Sequence, residues 1–150
     1  MAKDGIKVKG ICRIYDAKTG QLLRESKNLI VNAGLNLVRD LVSNLATVPD
    51  VPSHLGIGTG STAAAAADTA LESETGSRIS ATVTEPANYQ IKYAGTSAAG
   101  SHAVGWTEVG IFNASSSGTM LCRVVFAVLN KGAADSFTIE YTISFSDDGV

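Results

Sequence analysis

The side chains that could carry chemistry are few. His54 and His102 are the only histidines in the 150 residues. A metal site would need them to meet, joined by carboxylates such as Glu72, Glu74 or Glu108. Neither an HxxxH nor a CxxC spacing brings ligands together. Glu72 and Glu74 stand two apart in a polar stretch. Paired carboxylates cleave glycosidic bonds when one is held protonated by apolar surroundings, and no apolar cluster flanks these two.

The run Gly56-Ile-Gly-Thr-Gly60 is glycine-rich. It lacks the Lys-Ser/Thr pair of a phosphate loop, and its third glycine is out of place for a dinucleotide fingerprint. Glycine here serves bending or close backbone approach. Gly95-Thr-Ser-Ala-Ala-Gly100 misses the nucleophile elbow by one residue. Asn113-Ala-Ser115 is a glycosylation sequon, but the opening MAKDGIKVKG lacks the apolar segment of a secretory leader. Cys12 and Cys122 both sit in strand-like runs. Buried free cysteine acts as a small hydrophobe, and a disulfide between them is left open. The expectation is a chain that is not an enzyme and carries no cofactor and no metal.

The elements that position these groups read mainly as strands. The last third, Gly105 to Ser146, holds three strand-like runs. Phe137, Ile139, Tyr141, Ile143 and Phe145 alternate with polar residues, the pattern of a half-buried antiparallel strand. Thr119 to Leu129 is apolar on both faces, interrupted by Arg123. Such a strand is either central in a sandwich or covered by another subunit. Trp106 to Phe112 leads into the polar hairpin loop Asn113–Gly118, and Trp106 and Phe112 are read as sharing one face, in the core or at a subunit contact.

Earlier in the chain, Gly5–Tyr15 and Gln21–Ile30 read as strands around a turn at Asp16–Gly20. Then the period changes. Leu35, Val38, Leu41, Val42 and Leu45 recur at helical spacing, predicting an amphipathic helix over about 33–46. Asn32 is its expected N-cap, and Pro49 and Pro52 lie beyond its end. Shorter strands are expected at Ser53–Gly58, Ile79–Glu85 and Asn88–Ala94, with small-residue loops at Thr59–Thr69 and Gly95–His102. The fold class is therefore mainly β: one antiparallel, jelly-roll-like β-sandwich domain over 1–150 with a single helix.

Composition narrows the function classes. Of the hydrophobic residues, 45% of the chain, twenty are alanine, so the large apolar side chains sit mainly in the strands and the helix. No run approaches the roughly 20 apolar residues of a membrane span, so no membrane partner is expected. Net charge is −2, but residues 1–40 carry +4 and the remainder −6. Lys3, Lys7, Lys9 and Arg13 form a basic segment. Such lysines guard strand edges or dock an acidic neighbour. With Tyr15 as their one aromatic companion, they do not point to nucleic acid.

Several stretches resemble a known family when taken in order. Asn28-Leu-Ile-Val-Asn-Ala-Gly-Leu-Asn-Leu-Val-Arg-Asp-Leu-Val42 resembles a segment near the start of small structural proteins of tailed bacteriophages. So do His54-Leu-Gly-Ile-Gly-Thr-Gly60, then Asp68-Thr-Ala-Leu-Glu-Ser-Glu74 and Arg78. Trp106-Thr-Glu-Val-Gly-Ile-Phe-Asn113 with Gly118-Thr-Met-Leu-Cys-Arg123 is similar to the "E-h-G-h-F … G-T-L-h-A-R" block of phage tail-fibre and tail-collar proteins. The resemblance spans about Leu22 to Ser146. Fibrous repeats and coiled-coil heptads are lacking.

The resemblance implies a non-enzymatic virion subunit: a small tail-fibre or baseplate adaptor or short surface fibre, or alternatively a decoration protein on the capsid. It would be made in the host cytoplasm and reside in the virion. Expected partners are itself, as a homo-oligomer with a trimer favoured, and other virion proteins. Leu121, Arg123, Val125, Trp106 and Phe112 are the candidate subunit interface. A glycan-binding sandwich is the further alternative, with Tyr89, Tyr93 or Trp106 as the sugar-stacking residues.

Overall fold

The computed structural model describes residues 5–44 and 47–147. Among these are ten strands and one helix, arranged as two five-stranded antiparallel sheets. The first strand, β1 (Ile6–Asp16), pairs along its whole length with the last, β10 (Phe137–Asp147). On the other side of β1 lies β2 (Leu22–Lys27), paired from Ile11 onward. β7 (Gln90–Ser97) flanks β10, and β6 (Thr82–Thr84) closes that edge of the first sheet.

The second sheet runs β3 (Leu29–Ile30), β9 (Met120–Asn130), β8 (Gly105–Phe112), β4 (His54–Gly58) and β5 (Ile79–Ser80). Alternation decides which side chains meet between the sheets. Ile139, Tyr141 and Ile143 of β10 and Cys12 and Ile14 of β1 are buried against Val109, Ile111, Cys122 and Val124 of the second sheet. Full burial of each such large side chain contributes roughly 1.5–3 kcal/mol. The architecture is an antiparallel β-sandwich, and these strand orders do not establish the finer expectation of a jelly roll.

Two expected strands are each split between sheets. Gln21–Ile30 divides into β2 in the first sheet and β3 in the second. Asn28 is the crossing point: its N–H donates to Gly10 O, and its side chain packs where a Cβ on Gly10 would be. Ile79–Glu85 divides likewise into β5 and β6. The strand expected at Asn88–Ala94 instead runs Gln90–Ser97, taking in part of the expected loop.

The helix α1 spans Asn32–Ser43, so Asn32 lies inside it and Val31 stands at the N-cap without a side-chain cap. It ends at Asn44 in the left-handed conformation (φ 47°), ahead of both prolines. Positions 45–46 of the expected helix lie outside the described residues. Gly34 presses α1 onto β9, where any Cβ would overlap the Leu121 carbonyl.

Candidate functional site

The two histidines are held separately. His54 Nδ1 lies 2.9 Å from Ser53 Oγ. His102 Nδ1 lies 3.0 Å from Ser97 Oγ, and its Nε2 is 2.9 Å from the Ser77 carbonyl. This Ser–His contact occurs in the stretch that nearly matches a nucleophile elbow. Ser97 is 1% exposed, and its hydroxyl also reaches the Ser101 carbonyl at 3.2 Å. A nucleophile needs access to its substrate. The pair instead ties the 98–104 loop to β7, with the His102 ring edge-on to Trp106. Among the described residues, no three His, Cys, Asp or Glu side chains are placed to hold a metal.

The ionisable groups that do converge are Glu108 on β8 and Arg123 on β9. Glu108 is 0% exposed and Arg123 2%. Arg123 Nε donates to Glu108 Oε2 at 2.8 Å, Nη1 to Asp68 Oδ2 at 2.8 Å, and Nη2 to the Thr62 carbonyl at 3.0 Å. Glu108 also accepts the backbone N–H groups of Gly60, Glu72 and Ser73 at 2.8–3.0 Å. One buried carboxylate therefore clasps both ends of the 60–73 loop. Glycine is required at position 60, because a Cβ there would collide with Glu72 and Glu108.

A second clamp adjoins it. Arg78 pairs with Glu74 through two contacts, at 2.6 and 3.0 Å. Its guanidinium lies 3.4 Å from the centroid of the Phe112 ring, a cation–π stack. It also donates to the carbonyls of Ala114 and Ser117. The Asp68 carboxyl is held below the usual range, first by the Ala65 N–H and then by Arg123. Glu72 is lowered chiefly by its two bonds from Thr62. For Arg123, burial opposes the charge, but the bonds to Asp68 and Glu108 outweigh it and raise the guanidinium further. Each of these carboxylates is occupied by hydrogen-bond or ion-pair partners, an arrangement that suits mechanical fastening.

The expected interface residues are placed mostly inside the chain. Trp106 is 0% exposed, in the inter-sheet core, its indole N–H donating to the His102 carbonyl. Phe112, 1% exposed, belongs to a separate cluster with Val31, Leu71 and Met120 beneath the loop. The two were expected on one face. A register shift between Trp106 and Glu108 moves them to opposite sides. Leu121 and Arg123 are buried under α1 and the 60–73 loop, and Val125 is half-buried. At Leu121 and Arg123 the second face of β9 is thus covered by the chain's own helix and loop, whereas Ala127 further along is exposed.

Lys7 and Lys9 are exposed on the outer face of β1, with Arg13 half-buried beside Glu25 at 2.7 Å. Lys3 lies outside the described residues. Lys27 and Lys92 join this face, which forms a shallow basin of about 710 Å³. Tyr89 is 77% exposed whereas Tyr93 and Trp106 are buried, so the three aromatics do not form one sugar-stacking surface.

The helix was expected to cover an open end or face of the β-sheets, but most of its stripe stays unburied: α1 buries Gly34 and Leu37. Leu35, Val38, Leu41 and Val42 instead border an apolar groove of about 850 Å³, whose other wall is Val8, Ile91, Ile143 and Phe145 at the end of the first sheet. The signal was available in Leu35 and Val42, which sit at the margins of a stripe too wide for one small contact. No protein-family model, no curated protein and no solved structure matches the chain.

Proposed function

We propose that the chain is a non-enzymatic structural subunit of a tailed-phage virion, acting as a small tail-fibre or baseplate adaptor. The observation that supports this is the meeting of the separate stretches on which the resemblance rests. Asp68 and Glu72 reach Arg123, Arg123 reaches Glu108, and Glu74 reaches Arg78, which covers Phe112. The helix of the 28–42 stretch docks on Leu121 of the same block. These residue types at these spacings have a mechanical reason: they fasten a long small-residue loop over a β-hairpin. A scaffold whose buried charges are locked in ion pairs suits lasting assembly rather than turnover.

Two surfaces are left for partners. The apolar end, with Val42 and Val51 exposed, suits self-association. The basic outer face, with Lys7, Lys9 and Lys27 outside any ion pair among the described residues, suits an acidic neighbouring virion protein. Capsid decoration uses the same features with a different neighbour. The test is co-sedimentation of labelled chain with phage particles assembled without it. Recovery on tails supports the adaptor role, recovery on heads supports decoration, and recovery on neither overturns the proposal.

A further inference from the structure

We propose that the turn joining β6 to β7 carries a binding site for a neutral pyranose sugar, with Tyr89 as its platform. This inference stands apart from the virion reading. It starts from a cost that the fold does not recover. Tyr89 has φ 63°, in the left-handed region that bulky side chains rarely adopt and that Gly or Asn enters readily. The conformation is fixed from both sides. The Gln90 N–H closes the turn on the Ala87 carbonyl at 3.3 Å, and the Tyr89 carbonyl accepts the Phe145 N–H at 2.8 Å. The side chain gives little back to the core. It is 77% exposed, and its hydroxyl makes no hydrogen bond among the described residues. Asn88, which would take the left-handed position at less cost, stands one residue too early. Backbone strain held in place by its surroundings clusters at ligand sites, and here it presents an exposed aromatic ring.

The lining identifies the ligand. Tyr89 borders a cleft of about 590 Å³ together with Glu85, Asn88, Gln90, Ile91 and Phe145. Small-molecule sites span roughly 300–1,000 Å³ and combine apolar surface with a few polar groups. Ile91, Phe145 and the Tyr89 ring supply the apolar part. The side chains of Glu85, Asn88 and Gln90 have no hydrogen bond or ion pair among the described residues. Glu85 offers acceptor oxygens, and each amide both donates and accepts. The hydroxyls of a pyranose do both, so this set can match a row of them while the C–H face of the sugar lies on Tyr89. The lining holds an acidic side chain and neither Lys nor Arg, a poor match for an anionic ligand. An aromatic anchor for another protein fills a pocket on its partner. Tyr89 instead borders a concavity of its own chain, edged by uncommitted polar groups, which favours a small polar ligand.

The experiment is saturation-transfer-difference NMR of the full chain. The probes are the methyl glycosides of glucose, galactose, mannose, N-acetylglucosamine, N-acetylgalactosamine and glucuronic acid, each titrated into the millimolar range. Wild type is compared with Tyr89→Phe, Tyr89→Asn and Glu85→Gln, and the urea midpoint of each is measured alongside. The expected result is binding of at least one neutral glycoside, kept within about threefold by Tyr89→Phe, which retains the ring. Tyr89→Asn should weaken it at least about tenfold, and Glu85→Gln about tenfold. The urea midpoint of Tyr89→Asn should equal or exceed that of wild type, because Asn tolerates the left-handed backbone. Loss of binding at undiminished stability separates a ligand contact from a folding defect. Absence of binding to every neutral glycoside, tighter binding of the glucuronide, or full binding by Tyr89→Asn overturns the site. A clear fall in the stability of Tyr89→Asn also overturns it, by making Tyr89 a residue of the fold.

Discussion

Glu108 and Arg123 lie on neighbouring strands, two residues out of register, and join at 2.8 Å with almost no solvent on either side. Their bond is the centre of the clamp, because the same carboxylate holds three loop N–H groups. Removing one charge leaves the other buried and unpaired, which costs about 3–5 kcal/mol. Glu108→Gln should therefore lower the urea midpoint by that equivalent. It should also free the 60–73 loop, read as earlier proteolysis within it. Arg123→Lys should lose most of the same stability, because an ammonium cannot supply the guanidinium fork that spans Glu108 and Asp68. Full stability in both variants would show that the clamp is incidental.

Gly34→Ala offers a test with an inverted sign. In a helix interior the change ordinarily gains about 1 kcal/mol. Here the new methyl would overlap the Leu121 carbonyl, so α1 must lift from β9. The expected outcome is a net loss of stability together with reduced amide protection across α1. A gain in melting temperature would mean that the helix is not docked on β9 through this glycine.

Acid should undo the clamp before the sandwich core. Asp68 and Glu72 have folded-state pKa values below their ordinary ones. Between the two values the unfolded chain binds more protons, so stability rises with pH there. The contribution is complete above the ordinary carboxylate range of about 4 and is lost as pH falls through the lowered values. Urea midpoints measured from pH 6 downward should be flat and then drop below about pH 4. Asp68→Asn should be less stable at neutral pH and should shrink that drop. An unchanged drop in Asp68→Asn would assign the acid sensitivity elsewhere.

How far the fold was legible depended on which residues carry their own context. The 137–145 alternation states both its period and its buried face, and β10 lies as read. Gln21–Ile30 reads as one strand because nothing in its local composition marks Asn28 as a crossing. That role comes from Gly10, eighteen positions earlier, making room for its side chain. Arg123 was visible as the one interruption in an apolar strand. Its partner was not, since Glu108 by itself reads equally well as a metal ligand. The loop that joins them is low in complexity and gains its shape from hydrogen bonds to Glu108, not from its own propensity. The Trp106–Glu108 register shift likewise depends on pairing across the hairpin, which strand periodicity cannot see.

The two cysteines give a last test, of the core itself. Cys12 and Cys122 are free, 2% and 0% exposed, on facing sheets. Burial pushes the Cys122 thiol up to about 11 and raises Cys12 further. The neighbouring Tyr141 hydroxyl is raised for the same reason. Among the buried polar atoms of this region, the Asn28 amide and the Tyr141 hydroxyl lack a hydrogen bond of standard geometry. This makes the spot the least well-satisfied part of the core. Thiolate is the reactive form, so native protein at pH 8 should react with a disulfide reagent only through opening of the sandwich. Both thiols should then label at one common rate, which rises with urea and follows the global unfolding equilibrium. Prompt labelling of Cys122 alone would place a local opening at β9, beneath α1. The clamp variant Glu108→Gln should then accelerate that opening more than it accelerates labelling of Cys12.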